Sequence, residues 1–336
     1  MIMKNILICG AGGFIGGHLA LQFSNDRNIK LTCVDIKPLE YWFQTFDNAN
    51  NFSLDLKDYS NALKVTKDID YIYNFACNMG GMGFIENNKA ACMLSVLVNT
   101  NLLRASLINK CKRYFFSSSA CVYNSTKQNK TFVEGLKESD AYPADPEDGY
   151  GWEKLFSERM CRHFTEDYGL ETRIVRYHNI YGPIGTFDGG REKAPAALCR
   201  KIINAKIKKE KSIDVWGDGE QTRSFLYIDD CIKGTLDVFE SDKGDVFNIG
   251  SEEQVSINQM IEMIEDIAHY TVKKNYQLDK PKGVRGRSSD NTFVYKNIGW
   301  NPNFTLKEGL QQTYEWIEKK VKDGSNIDKF CKSNIE

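Results

Sequence analysis

Asn5-Ile6-Leu7-Ile8-Cys9-Gly10-Ala11-Gly12-Gly13-Phe14-Ile15-Gly16 decides the fold. Asn5 to Cys9 is a nearly continuous apolar run, the pattern of a parallel strand buried on both faces. It runs directly into Gly10, Gly13 and Gly16, a G-x-x-G-x-x-G variant of the dinucleotide fingerprint. The first glycine makes the turn. The second lets the backbone approach a pyrophosphate at the helix N-terminus, which Phe14 and Ile15 open, and the third lets helix and strand pack closely.

Working outward, a second strand over Lys30–Val34 ends at Asp35. An acid about twenty residues past the glycines can hydrogen-bond a ribose 2′-hydroxyl and repels a 2′-phosphate, so NAD is expected rather than NADP. Asp55 and Leu56, after Asn51–Leu54, are placed to reach the adenine. Asp70–Ala76 reads as a fourth strand, running into a loop beneath the cofactor, Cys77–Ile85. Its glycines Gly80, Gly81 and Gly83 allow close backbone approach to a ligand, and Met79 and Met82 suit an adaptable wall. A long helix is expected from about Asn88 to Asn109. A strand over Lys112–Ser117 delivers Ser117–Tyr123 to the carboxyl edge of the sheet, where open α/β sheets bind ligands. Glu171–Arg176 is a further strand. The alternation predicts an α/β fold, a Rossmann doubly wound parallel sheet, with a smaller mixed α/β C-terminal lobe. The expected division is 1–176, with 224–250 returning to it, as the NAD-binding domain, and 177–223 with 251–330 as the substrate lobe.

The chain has 336 residues and a formal net charge of -1. That balance argues against a nucleic-acid partner. No stretch reads as a membrane span and no signal peptide precedes the first strand, so a cytoplasmic protein away from membranes is expected. Ten cysteines without C-x-x-C spacing fit reduced thiols. The scattered histidines make no metal motif.

Tyr150-Gly151-Trp152-Glu153-Lys154 places a tyrosine and a lysine one helical turn apart on one face. A cation beside the hydroxyl favours the phenolate. A tyrosine tuned in this way can take a proton from a sugar hydroxyl while a hydride leaves the same carbon. Such pairs are common on helix surfaces, and this one gains weight from the glycine fingerprint before it.

Together with that fingerprint, Ser119, Tyr150-x-x-x-Lys154, Asn179–Pro183, Arg223–Asp230 and Asn248–Ser251 resemble the extended short-chain dehydrogenases/reductases that act on nucleotide sugars. Asn78–Ile85, Ser118–Tyr123, Leu136–Asp140, His178–Pro183, Gly189–Ala197, Trp216–Phe225 and Gly283–Asn291 are similar to the GDP-mannose 3,5-epimerase group within them. Gly149 stands where alanine is usual in the family, and Trp152 where a smaller residue is common. The resemblance implies a recycled NAD, a GDP-sugar substrate and a homodimer. It implies Tyr150, Lys154 and Ser119 for oxidation at C4, with Cys121 and Lys193 as an acid/base pair. Gly80, Met82, Gly83, Ser119, Cys121, Asn179, Glu192, Lys193, Ala194, Lys201, Gln221, Arg223 and Arg287 would contact the substrate.

Inverting C3 or C5 of a hexose requires loss of an unactivated C–H proton. A transient ketone at C4 makes either neighbouring carbanion an enolate, which the Tyr150 and Ser119 hydroxyls can stabilise. Cys121 suits the base if nearby cations draw out its thiolate. Lys193 suits the opposing acid, its pKa lowered by burial. Arg223, Arg287 and Lys201 can neutralise a diphosphate. Ala120-Cys121 stands where 4,6-dehydratases carry an Asp-Glu pair, which argues against elimination. An enzyme acting on a GDP-heptose or another keto sugar is the alternative substrate reading, and a non-catalytic dinucleotide sensor the alternative class.

Overall fold

The computed structural model describes residues 3–324. Seven parallel strands form the central sheet: β1 (Lys4–Cys9), β2 (Ile29–Asp35), β3 (Asn50–Ser53), β4 (Tyr71–Asn74), β5 (Arg113–Ser119), β6 (Glu171–Tyr177) and β7 (Val246–Ile249), in the spatial order β3-β2-β1-β4-β5-β6-β7. β1 lies inside the sheet, third from one edge, Leu7 registering with Thr32 on one side and Ile72 on the other. This order, with its switch point at the β1–β4 boundary, opens a ligand crevice at the carboxyl edge. The apolar run read from the sequence is buried from Ile6 to Cys9 because helices cover both faces.

The helices that position the site are α1 (Phe14–Ser24), α2 (Ser95–Ile108), α3 (Tyr150–Tyr168), α4 (Ala194–Lys208), α5 (Ile228–Glu240), α6 (Ile257–Ala268) and α7 (Leu306–Lys322). Past β6, Ser212–Trp216 pairs in parallel with Lys273–Gln277, while Thr222–Ser224 pairs with Gln254–Ser256 and with Gly286–Arg287. The chain returns through α5 to β7, which extends the sheet beside β6. One hydrophobic core runs from β1, through Ile6 and Ile8, to Ile257, Leu310 and Ile317 of the later helices. Residues 325–330 of the expected substrate lobe lie outside the described residues.

Two expectations need correcting. One stretch, Lys89–Ile108, does meet the length and apolarity of a membrane span. It is interrupted at Leu94, and Val98, Leu102, Leu103 and Ala105 pack into the core with Leu7 and Ile72, so about half of it serves a domain interior. The loop after β4 is also partly ordered as helix, over Met82–Asn87.

Candidate active site

The first turn of α1 carries no side-chain cap and no acidic residue, so its N–H groups are left to an anion. A side chain at Gly16 would bring a Cβ within 2.3 Å of Gly10 O, and the absence of one lets α1 sit on the turn. Asp35 is buried at the end of β2, with Oδ1 accepting the Lys37 N–H at 3.0 Å. Burial pushes its carboxyl up, against the opposing pull of Lys37. A bare helix N-terminus beside a buried acid fits the pyrophosphate and ribose of a dinucleotide. Asp55 stays near the surface, its carboxylate accepting the Lys57 N–H at 2.8 Å. The Leu56 side chain turns into the core with Leu7, Cys9 and Val34.

Sequence reasoning missed the segment that packs on the glycine turn. Lys37 Nζ donates to Gly12 O at 2.7 Å, the Phe43 N–H donates to the same oxygen at 3.3 Å, and the Trp42 indole lies against Gly12. These contacts join residues far apart in sequence and have no periodic signature.

At the end of β5, Ser119 Oγ accepts the Cys121 N–H at 3.2 Å and starts a short 3-10 turn over Ala120–Val122. α3 begins at Tyr150, directly after Gly149 at φ +73. A β-carbon on Gly149 would also lie 3.0 Å from Lys89 Cα, which accounts for glycine at this position. Tyr150 and Lys154 are both buried, with Lys154 Nζ 5.5 Å from the Tyr150 ring centroid and 4.8 Å from that of Phe116. Its nearest carboxylate is Glu153, at 3.6 Å.

The expected lowering of Tyr150 is not met. Burial raises its hydroxyl well above the ordinary tyrosine value, Cys77, Cys121 and Glu153 add to this, and the Ser119 hydroxyl opposes them. The Lys154 ammonium lies over the ring and interacts with Cys77 and Glu153. Burial alone would lower it; those two neighbours raise it.

Cys121 also departs from expectation. Burial and Glu147 push its thiol up to about 11, outweighing Arg287. Lys193 caps α4 from the preceding loop, and burial lowers its ammonium, with Cys121 and Cys77 pulling the other way. Arg223 and Arg287 are register partners in the second lobe's small sheet. Burial and Arg287 bring Arg223 down to about 10. Arg287 is buried and reaches back to the first lobe, with Nη1 3.7 Å from Cys121 Sγ.

Ser119, Cys121, Tyr150, Lys154, Lys193, Arg223 and Arg287 are thus linked by direct contact or by charge. Met82 and Arg223 border the same point, each within 3.2 Å of a β-carbon placed on Gly283. Gly80 packs on Phe84, and Gly83 on Trp216. Ala194 opens α4. Other expected substrate contacts are occupied by structural bonds. Asn179 Nδ2 donates to Ser224 O at 3.0 Å, Lys201 Nζ to Asp214 O at 2.7 Å and Gln221 Nε2 to Trp216 O at 2.9 Å. Glu192 pairs with Arg200 at 3.0 Å and accepts the Gly190 N–H. Gln221 keeps a buried Oε1 with no donor, available to a ligand. Cys77, against Tyr150 and Lys154, and Glu147, against Cys121, were not picked out as site residues.

The description "NAD dependent epimerase/dehydratase family" matches residues 6–250. The chain is 44% identical over 335 residues to GDP-mannose 3,5-epimerase of Arabidopsis thaliana, covering 98% of this chain and 87% of that protein. It is 26% identical over 332 residues to UDP-glucuronate 4-epimerase of Thermodesulfobacterium geofontis, covering 95% and 98%. Among solved structures, UDP-glucose 4-epimerase of Thermotoga maritima with UDP-glucose superposes at a TM-score of 0.84 and 25% identity, covering 95% of this chain and 100% of that one. UDP-glucuronic acid 4-epimerase of Bacillus cereus, with UDP-glucuronic acid and NAD, superposes at 0.80 and 26%, covering 94% and 99%. With the glycine turn, the buried Asp35 and the Tyr150–Lys154 helix in place, these likenesses make the chain a member of the NAD dependent epimerase/dehydratase family, with NAD as its cofactor.

Proposed function

We propose that this chain is a cytoplasmic, homodimeric GDP-mannose 3,5-epimerase, which oxidises C4 transiently, exchanges protons at C3 and C5 through Cys121 and Lys193, and reduces C4 again. The observation that supports the reading is the set of groups acting on Cys121: Lys193 and Tyr150 by charge, Ser119 and Arg287 by direct contact, with Arg223 in register beside Arg287. Gly10, Gly13, Gly16, Phe14, Ile15 and Asp35 would hold the cofactor, which supplies reversible oxidation at one sugar carbon.

Tyr150 accepts the C4 hydroxyl proton and Ser119 orients that hydroxyl. Lys154 holds its charge over the tyrosine ring, where it favours the phenolate that must be present before that proton is taken. The two hydroxyls then donate to the enolate oxygen, an interaction worth most in a buried site. Cys121 and Lys193 take and return carbon-bound protons from opposite sides of the ring. Arg223 and Arg287 supply adjacent positive charge for a diphosphate. Residues 177–223 and 251–324 would form most of the sugar-nucleotide lobe.

For the homodimer, Met93 and Leu94 just before α2, Leu97 in its first turn, and Trp152 and Phe156 on α3 are exposed. Thr100 Oγ1 meets Met160 Sδ at 3.5 Å between these helices, so the apolar groups stand on neighbouring elements. A second copy related by a two-fold axis would cover them.

The test is incubation with GDP-mannose in D₂O, followed by NMR. Deuterium at C3 and C5, with GDP-L-galactose or GDP-L-gulose formed, is expected. A Cys121→Ala variant should keep its NAD and lose the exchange. Unlabelled, unchanged GDP-mannose after incubation with the wild-type protein would overturn the reading.

A further inference from the structure

Glu147 belongs to none of the roles assigned above. Its N–H donates to Cys121 O at 2.9 Å, which ties the segment before α3 to the turn that carries the thiol. Its side chain is 12% exposed and its Oε1 accepts from Arg287 Nη2 at 2.6 Å. The other carboxylate oxygen, Oε2, is buried with no hydrogen-bond partner, and the Cys121 thiol and Arg287 both act on this carboxylate.

Arg287 has a partner on each of its three side-chain nitrogens. Nε donates to Gln128 Oε1 at 2.5 Å, Nη2 to Glu147 and Nη1 to Cys121 Sγ at 3.7 Å. A guanidinium beside a sulfur ordinarily draws out the thiolate. Here a carboxylate in direct contact cancels much of that field. The other charged or titratable groups acting with Cys121 are Lys193 from the start of α4, Arg223 from the adjoining strand and Tyr150 from α3. Glu147 itself is acted on by Arg287, Arg223 and Cys121, and it raises Glu86.

We propose that Glu147 is a positioning residue for Cys121: joined to the Cys121 carbonyl through its N–H and to Arg287 through its carboxylate, it sets how far the guanidinium can draw a thiolate out of the sulfur. This rests on the Cys121–Lys193 pairing proposed above. The raised thiol agrees with it.

Iodoacetamide labelling across a pH series, read by mass spectrometry on the Cys121 peptide, tests it without reference to turnover. In Glu147→Gln the labelling midpoint should fall by at least about one pH unit, so that Cys121 labels about tenfold faster near neutrality. Glu147→Asp, its carboxylate drawn back by one methylene, should fall between that variant and wild type, and decides the matter if Glu147→Gln does not fold. An unmoved midpoint in the folded variants overturns the proposal. If Cys121→Ala has meanwhile lost C–H exchange, the acid/base pair stands and only Glu147 fails. A moved midpoint with normal exchange in Cys121→Ala overturns the pair, and with it any bearing of Glu147 on the reaction.

Discussion

Arg191 Nη1 donates to Asn78 Oδ1 at 2.9 Å, and the same guanidinium lies 3.9 Å from the Phe84 ring centroid. The Gly81 N–H also donates to Arg191 O at 3.0 Å. The glycine- and methionine-rich loop after β4 is therefore fastened to the loop that carries Lys193. Arg191→Ala should lower kcat by about 10- to 100-fold through misplacement of Lys193. It should cost about 2 kcal/mol of stability from the lost charged hydrogen bond. Steady-state kinetics and urea denaturation check both; wild-type kcat in a protein that has lost stability would separate the loop from the chemistry.

Tyr150→Phe and Lys154→Met should part company. The first removes one hydroxyl and should slow turnover by about 10²–10⁴ with the fold intact. The second should do the same and also leave the buried Glu153 carboxylate without its cation, at a cost of about 3–5 kcal/mol. Equal melting temperatures for the two variants would show that the Lys154 charge does not support the interior.

Gly149→Ala puts a side chain on a residue at φ +73, against the Lys89 backbone. About 1–3 kcal/mol should be lost, by urea denaturation, and Tyr150 displaced enough to reduce kcat. An alanine variant as stable and as active as wild type would mean that this turn relaxes freely.

His178 supplies an acid limit. It is buried with Nε2 3.0 Å from Asn248 Oδ1, and burial pulls its pKa down to about 3. Above the unfolded-state value near 6.5 both states are neutral and the group costs nothing. As pH falls below it, the unfolded chain binds a proton that the folded protein refuses, so stability declines with pH until the folded value is reached. Between pH 7 and pH 5 this group alone should remove about 2 kcal/mol. His178→Gln, which can still donate to Asn248, should lose correspondingly less over that interval in urea melts. Identical losses would assign acid sensitivity elsewhere.

The strands were legible because burial on both faces writes an unbroken apolar run, as in Ile6–Cys9. The glycine turn was legible because its spacing follows from helix and strand geometry. Tyr150 and Lys154 could be placed on one face from their spacing alone. The charges around them could not. Cys121 was read as a thiolate beside cations; Glu147, folded back from the segment before α3, reverses that field. Lys154 was read as standing beside the tyrosine hydroxyl; burial against Phe116 carries it over the ring. Lys89–Ile108 was not read as long enough to span a bilayer, and only its packing shows which interior its apolar residues serve. The misread charges concern groups brought together by the fold, where local pattern carries no information, whereas the length and apolarity of Lys89–Ile108 were local and legible.

The Arg287 contact with the Cys121 sulfur crosses 166 residues. The two halves of this protein consequently cannot evolve independently. A change in the second half that resettles Arg287 also alters the surroundings of a thiol anchored in the first.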